Sequence, residues 1–321
     1  ILYIPIDEEP EIVYLDPEFK VFKEMILDLK QEQLIKILKG DYIYPKLLAL
    51  EKITKYKSVK VLNELASLVK NNEEFWGVRA EAVKSIGSIG LEEGLDLLIE
   101  LEEKISHPKI RRAIAEALGN YKNAKSAELL KKILENREES YYVRQSAAVS
   151  LGKTKQPEAF DILLKEINTP SHNDVITRGV LRGLSEIGSD EALDVIISYM
   201  DKTRPTFVRA EATLALGRFP GVKKAFDALI DAFKDENFRV RAAAVLASLE
   251  LMDPKLLPYL EKIASEDLEE SLRRRAREVI SKIKKNLEKG VEYKLLREEL
   301  EKIKEENRKL LDRIERIEYK I

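Results

Sequence analysis

The sequence predicts an all-α fold, a right-handed α-solenoid of about eight helical hairpins, with a short N-terminal β-hairpin and a C-terminal coiled-coil helix. Three observations predict it. One unit recurs along the chain: an apolar anchor, usually Arg next, a small residue soon after, and often Gly eight or nine residues on. It reads Val78-Arg79-Ala80 to Ile86-Gly87, Ile110-Arg111 to Leu118-Gly119, Val143-Arg144 to Leu151-Gly152, and Val208-Arg209-Ala210 to Leu216-Gly217. Degenerate copies begin at Pro45, Ile176, Val240 and Leu272, so eight anchors stand 32 or 33 residues apart. A fixed period of that length marks stacked supersecondary units. Each period also holds a second stretch with apolar residues at helical spacing, such as Leu95-Asp96-Leu97-Leu98-Ile99 or Ala225-Phe226-Asp227-Ala228-Leu229-Ile230. The breaks between stretches contain Gly, Pro, Asn and Ser, as turns require.

Taken in order, residues 1–27 carry two strand-like runs, Ile1–Ile6 and Glu11–Leu15, joined by Asp7-Glu8-Glu9-Pro10 and closed by Asp16-Pro17. A lone hairpin is marginal in water, and the chain opens on Ile rather than Met, so this segment reads as the end of an upstream β domain. Residues 28–290 form the repeat array. Its small residues, Ala80, Ala82, Ala113, Ala117, Ala147, Ala148, Ala212 and Ala242 to Ala244, let neighbouring helices approach closely. The repeated Arg beside each anchor is expected to pair with a carboxylate or loop carbonyl of the neighbouring repeat rather than to form a basic stripe. Residues 291–321 switch to a heptad, with Tyr293, Leu300, Asn307, Ile314 and Ile321 at a and Leu296, Ile303, Leu310 and Ile317 at d. A single Asn at a fixes register in parallel two-stranded coils. The flanking pairs Glu299 with Lys304 and Arg313 with Glu318 are attractive in that arrangement. The tail therefore predicts a homodimer, the alternative being a helix folded back on the last repeats.

Lys plus Arg at 56 against Asp plus Glu at 58 leaves a formal charge of −2. Nucleic acid is accordingly not expected as a partner. No Cys is present, and His107 and His172 are the only His residues, which removes thiolate chemistry and leaves little for a metal centre. His-Glu-x-x-His, a Gly-rich phosphate loop and Gly-x-Ser-x-Gly are all absent. No catalytic residue, metal ligand or cofactor site is therefore assigned within this chain. No apolar run reaches the roughly 20 residues of a membrane helix. Charged residues at 36%, with 3 Met and no Cys, fit a heat-adapted cytoplasmic protein.

What remains is binding. The polar positions of the anchor-bearing helices, Glu81, Lys84, Arg112, Glu116, Gln145, Arg178, Arg182 and Glu211, are expected to point away from the core on the concave face. Their mixed signs favour a peptide or protein partner. The stretch Ser171 to Gly183 departs from the pattern, with Gly179 and Gly183 where other repeats use Ala. It reads either as a binding patch of His172, Arg178 and Arg182, or as a capping box of Ser171 and Asp174 with solvated or paired Arg. Trp76, the sole Trp, reads as inter-repeat packing.

Over roughly residues 30–285 the repeat unit resembles the HEAT-repeat family, a motif specific for fold and nearly silent on function. The His-Glu pairs of HEAT-type di-iron hydroxylases are missing. Two stretches suggest more. Ile4-Pro5-Ile6-Asp7 through Pro10 to Pro17 and on to Lys20-Val21-Phe22-Lys23 resembles the end of the β-sandwich domain in zinc aminopeptidases of the aminopeptidase N family. Phe75 to Ala82 and Ser171 to Ile176 resemble its HEAT-bearing microbial branch. That resemblance implies zinc in a parent enzyme, an upstream catalytic domain of the same protein, and a helical domain that walls the substrate chamber and mediates assembly. None of the family's catalytic or zinc residues has a counterpart here. The alternative is a free-standing HEAT scaffold binding a protein partner on its concave face. A HEAT-like DNA glycosylase is disfavoured by the near-neutral charge.

Overall fold

The computed structural model describes residues 5, 7, 10, 12–23, 28–290 and 303. These residues form two compact units, Ile1–Ser198 and Tyr199–Ile321. Unit 1 runs through α1 (Gln31–Leu38), α2 (Ile43–Ile53), α3 (Val59–Lys70), α4 (Trp76–Ile89), α5 (Glu92–Lys104) and α6 (Pro108–Leu118). It continues with α7 (Ala124–Glu135), α8 (Tyr141–Thr154), α9 (Ala159–Glu166), α10 (Val175–Ile187) and α11 (Asp190–Ser198). Unit 2 holds α12 (Thr206–Ala215), α13 (Lys223–Ala232), α14 (Phe238–Leu251), α15 (Leu257–Glu266) and α16, residues 270–290. Every sequence anchor falls in the first turn of an even-numbered helix. The array is the α-solenoid that the repeat predicts.

Helix ends follow from the local sequence. Ser58 and Asn123 place a side-chain oxygen on Val61 N–H and Ser126 N–H, capping α3 and α7. Pro108 opens α6, where its missing N–H costs nothing. Gly90 and Gly188 end α4 and α10 at φ 70° and 75°, left-handed conformations natural to glycine.

The two helix sets bury different faces. An odd helix such as α7 buries one stripe, Ser126, Ala127, Leu130, Ile133 and Leu134. An even helix is flanked on both sides, so α8 buries Val143, Arg144, Ser146, Ala147, Ala148, Ser150, Leu151, Gly152 and Thr154. In unit 1, α4 packs on α6, α6 on α8 and α8 on α10, and in unit 2 α12 packs on α14. The α8–α10 contact is closest: a Cβ placed on Gly152 would lie 2.6 Å from the carbonyl carbon of Gly183. Backbone meets backbone there without a side chain between.

The expected N-terminal β-hairpin is not found. No strand occurs among the described residues, and residues 12–15 of the second run are irregular. The first run, Ile1–Ile6, falls almost wholly outside the described residues. What organises residues 16–23 is a side chain: the Asp16 carboxylate accepts from Lys23 Nζ and from the N–H groups of Lys20 and Val21, at 2.9 and 3.0 Å. These bonds, the lysine first, hold its pKa at about 2. The heptad tail also lies outside the described residues, apart from Ile303, which is helical and exposed.

Candidate functional site

The residue after each anchor is the first candidate, because its recurrence suggests a shared task. Arg79 donates Nε to the Val69 carbonyl at 2.8 Å and Nη2 to Asn72 at 3.0 Å. Arg144 repeats the first contact on the Leu134 carbonyl at 2.7 Å and reaches Glu166 at 3.1 Å. On α10 the position is Thr177, whose hydroxyl donates to the equivalent Ile167 carbonyl at 2.7 Å. Arg111 joins Glu102, at 2.5 Å, to Glu139 of the following turn, at 2.6 Å. In unit 2, Arg209 grips Asp235 through two bonds of 3.0 and 3.2 Å, and Arg241 grips Asp267 at 2.6 and 3.0 Å. Lys46 pairs with Glu74. These side chains face inward and clamp turns, as expected for a structural role.

Burial sets their protonation. Burial, then repulsion from Arg137, lowers the Arg144 pKa despite Glu166. Burial also pulls on Arg111, but its bonds to Glu139 and Glu102 outweigh this and leave its pKa raised. The Arg241 hydrogen bond holds the Asp267 carboxyl below the ordinary aspartate value.

The outward face is set by register. Residues two and six after an anchor lie one helical turn apart, on the same side. Arg112 and Arg182 are exposed there, and Glu116, Gln145 and Arg178 are half-buried. Arg112 donates Nε to Glu116 at 2.9 Å and to the Ser146 hydroxyl of the next even helix at 3.3 Å. Lys84, exposed, donates to half-buried Glu81 at 3.1 Å. Glu211 departs from expectation: it is only 4% exposed. It stands three residues after its anchor, a position that is buried as Ala113, Ser146, Gly179 and Ala243 in other even helices and half-buried as Glu81 in α4. One residue's rotation, 100°, turns that position from the outward face toward the helix flank.

His172 does not share the helix face with Arg178 and Arg182. It is exposed in the short 3-10 turn before α10, its Nε2 2.9 Å from Asn173 Nδ2. Asn173 and Asp174 both adopt positive φ, 50° and 53°, so Asp174 forms no capping box; the Ser171 hydroxyl instead accepts from Ile176 N–H at 3.0 Å. Trp76 does contact the next repeat, its ring stacked 6.0 Å from that of His107, yet it stays 37% exposed. It belongs to a recurrent set that inspection of Trp76 alone misses: Tyr42, Phe75, Trp76, Tyr141, Tyr142, Phe207 and Phe238 all lie exposed at starts of even helices. Among the described residues no group of three or more His, Cys, Asp or Glu is placed to hold a metal ion. No described helix is long and apolar enough to cross a membrane.

Residues 32–106, 101–179, 137–217 and 207–281 each match the HEAT repeats family. The chain belongs to the HEAT-repeat family. No curated protein matches this HEAT-repeat chain. Among solved structures it is similar to the complex of CpcE and CpcF of phycocyanin lyase from Nostoc sp. PCC7120, at 16% identity and TM-score 0.48, covering 82% of this chain and 98% of that one. Human deoxyhypusine hydroxylase in complex with glycerol matches at 17% identity and TM-score 0.38, covering 73% and 98%. The Escherichia coli protein YibA matches at 13% identity and TM-score 0.45, covering 81% and 99%.

The resemblance to zinc aminopeptidases does not hold. Two of the stretches that carried it, Phe75 to Ala82 and Ser171 to Ile176, lie inside the HEAT matches, and the third, Ile4 to Lys23, shows no strand among its described residues. The first two form the turns and first helical turns of α4 and α10. With it goes the support for a parent zinc, an upstream catalytic domain and a substrate chamber.

Proposed function

We propose that this HEAT-repeat protein is a binding scaffold for a polypeptide partner, engaged along the outward face of its even helices. The supporting observation is the succession Arg112, Glu116, Gln145, Arg178 and Arg182 on adjacent helices of unit 1, solvent-reaching and of both signs. Three cations with one carboxylate and one amide suit the mixed surface of a protein, and the chain's formal charge of −2 gives no general attraction for a phosphate backbone. The absence of Cys from the chain supports a reducing, cytoplasmic setting. Reversing Arg112 and Arg182 to Glu should lower retention of partner from a lysate of the source organism at least tenfold, with the helical spectrum retained. Equal retention by wild type and variant would reject the face as the binding surface.

The second element is assembly through residues 291–321. The heptad, with Asn307 at one a position, supports a parallel homodimer. Deletion of residues 291–321 should convert a dimer to a monomer in light scattering while the repeat array keeps its helical spectrum. A full-length chain that is monomeric at tens of micromolar would refute it.

A further inference from the structure

The turns leading into the even helices place aromatic rings on one edge of unit 1. Tyr42 precedes α2, Phe75 and Trp76 start α4, and Tyr141 and Tyr142 start α8, with exposures of 41, 44, 37, 43 and 55%. His107 and Lys109 stand at the start of α6, between the second group and the third in repeat order, and both contact Trp76. Such rings supply rigid contact area at little entropic cost and dominate binding hot spots. An acidic residue accompanies each group: Asp41, Glu73 and Glu138 precede Tyr42, Phe75 and Tyr141 by one to three residues. All three are exposed, and none makes an ion pair among the described residues.

A ring face and a nearby carboxylate both attract a cation, the ring through its quadrupole and the carboxylate through its charge. The protein uses the ring faces for its own cations. Lys109 Nζ stands 3.8 Å from the centroid of Trp76. In unit 2, Arg239 lies 5.2 Å from the Phe207 ring and 5.0 Å from that of Phe238. Tyr141 and Tyr142 hold no such cation among the described residues. From this arrangement we infer that the edge docks an extended basic polypeptide, with Arg or Lys side chains on Tyr141, Tyr142 and Glu138 and on Phe75 and Glu73. Lys109 acts as an internal stand-in that occupies the Trp76 face. An acidic chain or a phosphate backbone would meet three unpaired carboxylates. Packed helices lie about 8–10 Å apart, so the two groups, two even helices apart, are separated by about 16–20 Å. An extended chain spans this in about five or six residues, which sets the spacing of the basic side chains.

The test uses the full chain and two labelled peptides of Gly and Ser, one carrying Arg at every fifth position and one carrying Glu there, read by fluorescence anisotropy. The Arg peptide should bind at least tenfold more tightly than the Glu peptide. Tyr141→Ala with Tyr142→Ala, and Glu138→Gln alone, should each weaken it at least fivefold, the second variant keeping shape if the first disturbs folding. Lys109→Ala should tighten binding severalfold by freeing the Trp76 face, an effect that a purely structural Lys109 would not give. Equal affinity for both peptides, an unchanged Kd in Glu138→Gln, or a Lys109→Ala chain that binds no tighter would each overturn the assignment. This edge is distinct from the even-helix face. Reversal of Arg112 and Arg182 should therefore not lower affinity for the Arg peptide, and the two readings fail separately.

Discussion

Replacing Glu166 by Ala is expected to destabilise unit 1 by roughly 3–5 kcal/mol, the range for removing one partner of a buried ion pair. Arg144 is 2% exposed and Glu166 is 6% exposed, so neither charge has water to fall back on. Glu166 also takes two bonds from Arg137, at 2.8 and 2.9 Å, and one from the Thr169 hydroxyl at 2.7 Å. Its loss would leave Arg144 with the Leu134 carbonyl as its remaining hydrogen-bond partner and with Arg137 still nearby. The control is Arg112→Ala, which removes an exposed pair expected to contribute about 0.3–0.5 kcal/mol. Urea unfolding followed by circular dichroism should separate the two variants by midpoint at constant slope. A Glu166→Ala cost no larger than that of Arg112→Ala would show that the clamp contributes nothing to stability.

The Gly152→Ala variant is expected to be the most damaging glycine substitution in unit 1. Adding atoms to a packed site costs about 1–3 kcal/mol and occasionally more. Here the new methyl meets the carbonyl and Cα of Gly183 rather than a side chain that can swing away, which places the cost at the upper end. Gly90→Ala makes the useful comparison: nothing lies within 4 Å of its added Cβ, and the penalty is confined to φ 70°. That left-handed conformation costs an L residue about 1–2 kcal/mol. Thermal melts should therefore rank Gly152→Ala below Gly90→Ala. The opposite order would mean that α8 and α10 can separate cheaply.

Much of the fold is legible in the sequence because one physical demand repeats at fixed spacing. Each hairpin needs an apolar anchor, a small residue where helices meet and a donor to tie its turn, so Val78, Arg79 and Ala82 have counterparts at most steps, Ile114 and Val180 replacing the small residue on α6 and α10. Thr177 shows the limit of reading by residue type, since a hydroxyl performs the carbonyl contact that Arg performs at Val69 and Leu134. Glu211 shows that charge does not mark exposure: it sits on the helix flank, where the same position is half-buried as Glu81 in α4 and buried in α12. The β-hairpin is absent among the described residues because a strand-like run does not by itself supply a face to bury: Val13 and Leu15 are 76 and 67% exposed, and an unsupported hairpin is marginal in water. The aromatic edge was periodic all along, but visible only when Phe75, Tyr141 and Phe207 are aligned by repeat instead of judged singly.

The turn clamps of unit 1 also say where it would give way under tension. Loaded along the array, its joints act in series, and the weakest determines the strength of the whole. Lys46 reaches forward to Glu74, Arg111 to Glu139 and Arg144 to Glu166, so three steps are tied by charge. Arg79 spends its donors on Val69 and Asn72, behind it, so no forward cation clamp ties the turn between α4 and α6, and that step is held by the close approach of Gly87 to Ala117, the Tyr121 hydroxyl on the Ile86 carbonyl, the Lys70–Glu100 pair and the Trp76 stack with His107. Under tension its turn is expected to open before the clamped ones, and a polypeptide laid from Phe75 to Tyr141 would splint it.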